Sequence, residues 1–129
     1  MRDFRRNVLA SDLSEKIYYT YEEYPMYIRR DRLSAYPGWT AASHWHSDPE
    51  MILVLSGEMI YCVNGQRVPL AEGSGILINS QQLHYGFSDT HTECEFVCFI
   101  ISPTLLAANE FFERSYVRPI LENEQLPWV

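Results

Sequence analysis

Three histidines and one glutamate carry most of the chemistry written into this chain. They fall in the run Gly38-x5-His44-x-His46-x3-Glu50-x6-Gly57, and His84 follows a second glycine-containing turn further along. His44 and His46 are two residues apart, so in an extended segment their side chains leave the same face. Ser47, Asp48 and Pro49 form a turn, after which Glu50 opens the neighbouring strand beside them. Three neutral imidazole nitrogens and one carboxylate suit a divalent transition metal, Zn, Ni, Fe, Mn or Cu, with positions left for water or a ligand.

Such a constellation needs a rigid frame, and the chain supplies short extended runs broken by turn residues. The runs are Tyr27–Ala35, Ala41–His46, Glu50–Leu55, Glu58–Val63, Gln66–Leu70, Ile76–Ile78, His84–Phe87 and Cys94–Ile101. Ser56-Gly57 reads as a turn, and Asn64-Gly65 as a type I′ hairpin. With no alternation of strands and helices, the expected class is an all-β sandwich or barrel, spanning 27–101 as one domain. Residues 1–26 read as an aromatic-rich arm packed on that body.

From 102 to 129 the character becomes helical. Ser102 is the expected N-cap with Pro103 in the first turn, and Leu105, Ala108 and Phe112 share one stripe that docks on the barrel or meets a second copy. Asn109 is placed to recap the chain and divide it into two short helices. Pro119 ends or kinks the last one. The apolar end, Leu126-Pro127-Trp128-Val129, reads as the point where a further domain would begin.

Charge and composition narrow the partners. Seventeen acidic residues against ten basic ones give a net charge of −7, which repels phosphate backbones and anionic membranes. No apolar run approaches about 18 residues, and Met1-Arg-Asp-Phe-Arg-Arg lacks a signal-peptide core, so a cytoplasmic location is expected. Cys62, Cys94 and Cys98 are odd in number and lack C-x-x-C spacing, as for free thiols in a reducing compartment.

The first motif resembles the cupin signature at every defined position. The second resembles it in part: Gly73-x5-Asn79-x-Gln81-x2-His84-x3-Ser88 keeps the glycine and histidine, while asparagine, glutamine and serine replace proline, glycine and asparagine. The resemblance implies a cupin double-stranded β-helix, a jelly-roll-like barrel, followed by one or two short helices. A narrower resemblance runs from about Pro25 to Leu106. Tyr27-Ile-Arg-Arg, Arg32-Leu-Ser-x-Tyr-Pro, His44-Trp-His, Leu55-Ser-Gly-Glu-Met, Val63-Asn-Gly and Ile78-Asn-Ser-x-Gln-x-His-Tyr-Gly-Phe-Ser look like the N-terminal cupin domain of AraC-family transcription regulators. It implies an effector-binding domain that forms homodimers, senses a sugar or another small polar metabolite, and reaches DNA only through a C-terminal helix-turn-helix domain beyond residue 129.

Each feature has a functional and a plainer reading. His44, His46, Glu50 and His84 hold a metal, hydrogen-bond an effector directly, or persist as satisfied polar residues of the fold. A stand-alone metal-dependent cupin oxygenase or isomerase is the rival reading. Tyr61 and Tyr85 are placed to line the cavity or to pack. Arg30 and Arg32 share a strand face with Arg29 on the other, and Arg30 is the expected inward cation for an anionic effector, a solvated edge being the plainer alternative. His91 is expected in a solvated loop, and Trp45 on the strand face opposite His44 and His46.

Overall fold

The computed structural model describes residues 7–21 and 23–129. Residues 1–6 and Glu22 lie outside the described residues, and with them the opening segment and part of the expected arm. The elements are β1 (Val8–Leu9), β2 (Glu15–Lys16), β3 (Met26–Arg32), β4 (Glu50–Val63), β5 (Gln66–Ala71), β6 (Gly75–Ile78), β7 (His84–Phe87) and β8 (Cys94–Ile101). Three short helices close the sequence: α1 (Pro103–Leu106), α2 (Glu110–Phe112) and α3 (Arg118–Leu121).

β4 organises the molecule. Its first half, from Glu50, pairs antiparallel with β6 and β8, and β8 pairs with β3. The second half, Glu58–Val63, pairs with β5 and β7 instead. One strand thus belongs to two curled sheets, which face each other across a common core of Leu33, Ile52, Val54, Met59, Tyr61, Val63, Ile76, Ile78 and Phe96. Strand length and apolar alternation explain the burial: Glu50, Ile52 and Val54 point inward, while Met51, Leu53 and Leu55 are exposed.

The expected turn at Ser56-Gly57 is instead a β-bulge inside this continuous strand. The ladder runs Val54↔Phe96 and then Ser56↔Glu95, leaving Leu55 as the extra residue. Because the side-chain period is two, the inserted residue inverts parity, and Met59, Tyr61 and Val63 become the inward set. Gly57 has φ +77°, and a Cβ there would collide with the carbonyl oxygen of Glu93 on the adjoining strand approach. Only glycine fits that corner.

The other extended runs behave as follows. Asn64 and Gly65 have φ 50° and 83°, as the I′ hairpin requires. Tyr27–Ala35 stops being a strand at Arg32 and continues as a 3-10 turn over Leu33–Ala35. Ala41–His46 is not a regular strand; it follows β7 through isolated bridges, Thr40↔Phe87 and His44↔His84. Residues beyond the barrel are helical, with Ser102 and Asn109 as the N-caps of α1 and α2. The break at Asn109 disperses the anticipated stripe, leaving Phe111, Phe112 and Tyr116 exposed. Pro119 lies in the first turn of α3, which follows a π-helical turn over Glu113–Val117.

The apolar end is docked on the barrel. Val129 and Leu77 exchange both backbone hydrogen bonds, at 2.8 and 2.9 Å. The buried Asn79 explains one departure from the second motif, since its amide donates to the carbonyls of Ile120 and Leu126 at 2.8 and 2.9 Å. Gln81 stands where the motif has glycine and adopts φ 63°, so this turn keeps its left-handed backbone at the cost of side-chain strain.

Candidate metal centre and ligand cavity

His44 and His84 are joined across a reciprocal backbone pair, His44 N–H donating to His84 O at 3.1 Å and His84 N–H to His44 O at 2.9 Å. That register sets their side chains on one face. His46 follows two residues on, and its carbonyl accepts from Gln81 N–H at 2.8 Å, which ties the turn before His84 to the His44–His46 segment. Glu50 enters from the other sheet. The four side chains converge, with one ligand atom from each lying within 4.8 Å of all the others. His46, Glu50 and His84 are buried and His44 is half-buried.

The tautomers favour a cation. Each Nδ1 sits 2.7 Å from a backbone carbonyl oxygen, that of Ala42 for His44, Asp48 for His46 and Gln82 for His84. A carbonyl oxygen only accepts, so every Nδ1 bears a proton and every Nε2 is turned toward the centre. There, those of His46 and His84 donate to Glu50 in the metal-free site and would ligate a cation in place of that proton. Nε2 of His46 and of His84 lie 2.8 and 2.9 Å from the same Glu50 oxygen, Oε2. The other oxygen, Oε1, accepts from the thiol of Cys98 at 3.1 Å. Four donors arranged in this way fit a divalent transition metal.

Electrostatics fit the same reading. Burial works against ionisation of Glu50, but hydrogen bonds from His46 and His84 outweigh it and hold the carboxyl well below its ordinary range. Burial likewise opposes charge on His46, yet Glu50 and the Asp48 carbonyl raise its pKa overall. His44 moves the other way, lowered first by burial and then by the neighbouring His84, so it remains a neutral donor. A metal must therefore displace the proton on His46. Its affinity is expected to fall as pH drops through the raised His46 value, measurable by titration calorimetry in buffers of differing ionisation enthalpy.

The cluster borders a cavity of about 1000 Å³. Its walls are apolar at Leu33, Ile52, Met59, Phe96 and Ile100, and polar at Tyr27, Arg29, Asp31, Tyr36 and Tyr61. Tyr61 is buried with its ring stacked 6.1 Å from that of His84. Gly86 makes room for that ring, since a Cβ there would come within 3.1 Å of it. Burial, and then the charge of Glu50, keep the Tyr61 phenol protonated well above its usual range. Tyr85 borders the cavity beside Gly86, but its ring stacks on Phe87 at 5.6 Å, on the strand face opposite His84.

Arg30 requires correction. It projects from the outer face of β3, its side chain 70% exposed, and pairs with Glu95 at 2.6 Å. The cation that lines the cavity is Arg29, its side chain 44% exposed, whose Nε lies 3.2 Å from Asp31, itself bonded by the Tyr36 hydroxyl at 2.7 Å. Strand alternation correctly separates Arg29 from Arg30 and Arg32 but does not say which side is inside. Cys98 turns its thiol to Glu50. Trp45 lies outside the cluster and donates from Nε1 to the Asp12 carbonyl at 3.1 Å, and the exposed His91 stacks on Trp39. Cys62, Cys94 and Cys98 are all free thiols.

Two curled antiparallel sheets enclosing a cluster of three histidines and a glutamate define a cupin barrel, and the chain belongs to the cupin domain family, whose profile matches residues 33–100. Among curated proteins it is similar to YdeC of Bacillus subtilis (strain 168), an uncharacterized HTH-type transcriptional regulator. The two are 30% identical over 86 residues, which cover 67% of this chain and 29% of that protein. The chain thus spans under a third of the length of this relative. Among solved structures it resembles a predicted oxalate decarboxylase of Thermotoga maritima, at 29% identity and TM-score 0.52, covering 58% of this chain and 64% of that one. A salicylate 1,2-dioxygenase of Pseudaminobacter salicylatoxidans matches at 26% identity and TM-score 0.52, over 58% of this chain and 21% of that one. A cupin-like protein of Thermotoga maritima, 18% identical with TM-score 0.57 over 78% of this chain and 81% of that one, shares the fold. Among the described residues no helix is long and apolar enough to cross a membrane.

Proposed function

We propose that this barrel is the effector-sensing domain of an AraC-type transcription regulator. The observation that carries the reading is the cavity of about 1000 Å³, lined by His44 and Glu50 of the histidine–glutamate cluster and by Arg29, Asp31 and Tyr36, set in apolar walls. That volume is at the upper end of small-molecule sites, and a few convergent polar groups give a small polar metabolite its orientation. The likeness to a transcriptional regulator supports the regulatory role, and contact with DNA would come from a helix-turn-helix domain elsewhere in the full protein. Within the barrel, the Tyr61 phenol stays protonated and can donate to a ligand oxygen, Arg29 offers guanidinium donors, and the Tyr36 oxygen, its proton given to Asp31, is left to accept. His44, His46, Glu50 and His84 would hold Zn, Ni, Fe or Mn. A bound metal would supply a Lewis-acidic centre for a ligand oxygen. Regulation then requires only that the effector prefer one arrangement of the domain over another.

The test is a thermal-shift screen of metal-loaded protein against sugars and organic acids. A true effector at 100 times its Kd adds about 2.7 kcal/mol to stability. The same ligand should lose most of that effect with Arg29→Met or Tyr61→Phe and keep it with Arg30→Met. Equal loss in the Arg30 variant would move the ligand out of this cavity.

The three fixed tautomers favour metal binding more than a simple hydrogen-bonding pocket needs, which sustains a second reading as a metal-dependent cupin enzyme. The 29% and 26% identical neighbours point the same way. Turnover of an organic acid by the metal-loaded domain would establish it.

A second copy of the chain is the proposed partner for the outer face of the larger sheet. Ile28, Phe99, Met51 and Leu77 stand in register across four strands, and Ile28, Met51 and Leu77 are 40%, 45% and 42% exposed. Arg30 and Glu95 at its border pair within the chain and leave the rim of the patch polar. Light scattering should give a dimer mass for the wild type and a monomer for Leu53→Glu; a wild-type monomer at micromolar concentration would refute this interface.

A further inference from the structure

The arm brings a second carboxylate to the cluster. β1 and β2 form a small hairpin, paired Val8↔Lys16 and Leu9↔Glu15, that lies along the His44–His46 segment. Its attachment is by backbone: Glu15 N–H donates to Trp45 O at 2.9 Å, and Trp45 N–H donates to Leu13 O at 3.0 Å. Leu13 takes φ 68° at the bend that makes this possible. The consequence is that Glu15 Oε1 stands 4.0 Å from Nε2 of His44, the nitrogen that faces the cluster. Asn7 holds the same oxygen, donating from Nδ2 at 3.3 Å, and Asn7 is itself fixed by Tyr18 N–H at 2.9 Å. Asn7, Leu9 and Glu15 all line the cavity.

We propose that Glu15 is a fifth donor to a divalent cation held by His44, His46, Glu50 and His84, so that the cation fastens the arm to the cavity wall. This rests on the reading of the four-residue cluster as a cation site. Three geometrical facts carry it. His44 Nδ1 is bound to the Ala42 carbonyl, so its Nε2 has no direction available except toward the cluster and Glu15. The Glu15 carboxylate is largely sheltered, its side chain 19% exposed, although arm residues flanking it such as Leu13 and Lys16 are more open. Its backbone is fixed on the same segment that carries two of the histidines, so donor and ligand set move together.

Chemistry follows from the added oxygen. Three histidines and one glutamate with one open position satisfy tetrahedral or five-coordinate zinc, whereas three nitrogens and two carboxylates suit ions that prefer six positions, such as Mn(II), Fe(II) and Ni(II). One position then remains in the cavity. A chelating metabolite with two oxygens needs a second, and Glu15, which lies outside the convergent set of four, is the donor placed to yield it. Effector binding would in this way free the Glu15 carboxylate while the backbone bonds between the arm and Trp45 remain.

The test uses the full chain and Mn(II) alone. Binding is followed by loss of the free-ion electron paramagnetic signal, and the arm by amide exchange at Ala10, Glu15 and Trp45. In wild type, Mn(II) should bind and slow exchange at these amides. In Glu15→Gln affinity should fall by about tenfold or more and the metal-induced protection should vanish, with the His44→Ala variant losing binding altogether. Asn7→Ala, which removes a support but keeps the carboxylate, should retain most of the affinity. Equal affinity and equal protection in wild type and Glu15→Gln would overturn the role of Glu15 while leaving the four-residue site intact. Failure of wild type to bind Mn(II), Ni(II) or Zn(II) would overturn both.

Discussion

Replacing Glu50 by glutamine is expected to lower the unfolding free energy of metal-free protein by roughly 3 kcal/mol near pH 6. The carboxylate is fully enclosed, accepts from His46 and His84 through one oxygen and from Cys98 through the other, and is the charge that keeps His46 protonated in a buried site. Glutamine keeps the volume and loses the charge, which removes the main influence opposing burial at His46 and lets its pKa fall. The pH dependence has a definite sign. His46 has a raised folded pKa, so its contribution is complete below its unfolded value of 6.5 and is lost as pH rises through the raised one. Glu50 has a depressed folded pKa, so its contribution is complete above its unfolded value of 4.5 and is lost as pH falls through the lowered one. The stability gap between wild type and Glu50→Gln should therefore be widest from pH 4.5 to 6.5 and narrow on both sides. Urea denaturation across that range measures it, and a gap independent of pH would show that Glu50 acts through packing rather than charge. Metal affinity should fall by more than the roughly 10–100-fold typical of losing an outer-shell partner.

The second large effect lies away from the cluster. Gly57→Ala should cost about 3–4 kcal/mol, or a drop in Tm of roughly 10–15 °C. Gly65 supplies the control. Both glycines have positive φ, 77° and 83°, but a Cβ at Gly65 meets nothing within 4 Å, whereas at Gly57 it meets the Glu93 carbonyl. Gly65→Ala should therefore cost only about 1 kcal/mol, the conformational part alone. The difference between them isolates the close approach of β4 to the strand entering β8. If the two variants unfold together, the bulge is not the corner on which the two sheets depend. Since Glu50 and the inward set Met59, Tyr61 and Val63 lie on opposite sides of the bulge, a folded Gly57→Ala protein should also bind metal more weakly.

What the sequence discloses follows physical range. His44, His46, Glu50 and His84 are legible because a period-two spacing and a known signature fix their relative faces, and the structure places all four ligand atoms together. Asn64-Gly65 and the Asn109 cap are legible for the same local reason: each is decided by backbone geometry within a few residues. The bulge at Val54/Ser56 is not, because Ser-Gly has the same local chemistry in a turn and in a bulge, and only pairing with β8 separates them. Alternation along β3 cannot select Arg29 over Arg30, because it assigns residues to a face but leaves the inside undetermined. That choice is made by Glu95 outside and by Asp31 and Tyr36 inside. Glu15 gives no sequence signal at all. Its approach to His44 depends on a hairpin laid against a segment far along the chain, held by backbone hydrogen bonds that any residue types could make.

The cluster thus joins the two sheets at one point, through Glu50 on one and His84 on the other, with the His44–His46 segment bound alongside. Cation binding at that point would stabilise the whole barrel by mass action and fix the wall of the cavity in which recognition is proposed. Elemental analysis of purified protein, dialysed against Zn, Ni, Fe or Mn at neutral pH, tests that account most directly. It should find close to one divalent ion per chain in the wild type and almost none in His46→Ala. A wild type that emerges without metal from every one of these dialyses, or a His46→Ala variant that retains it in full, would contradict the assignment.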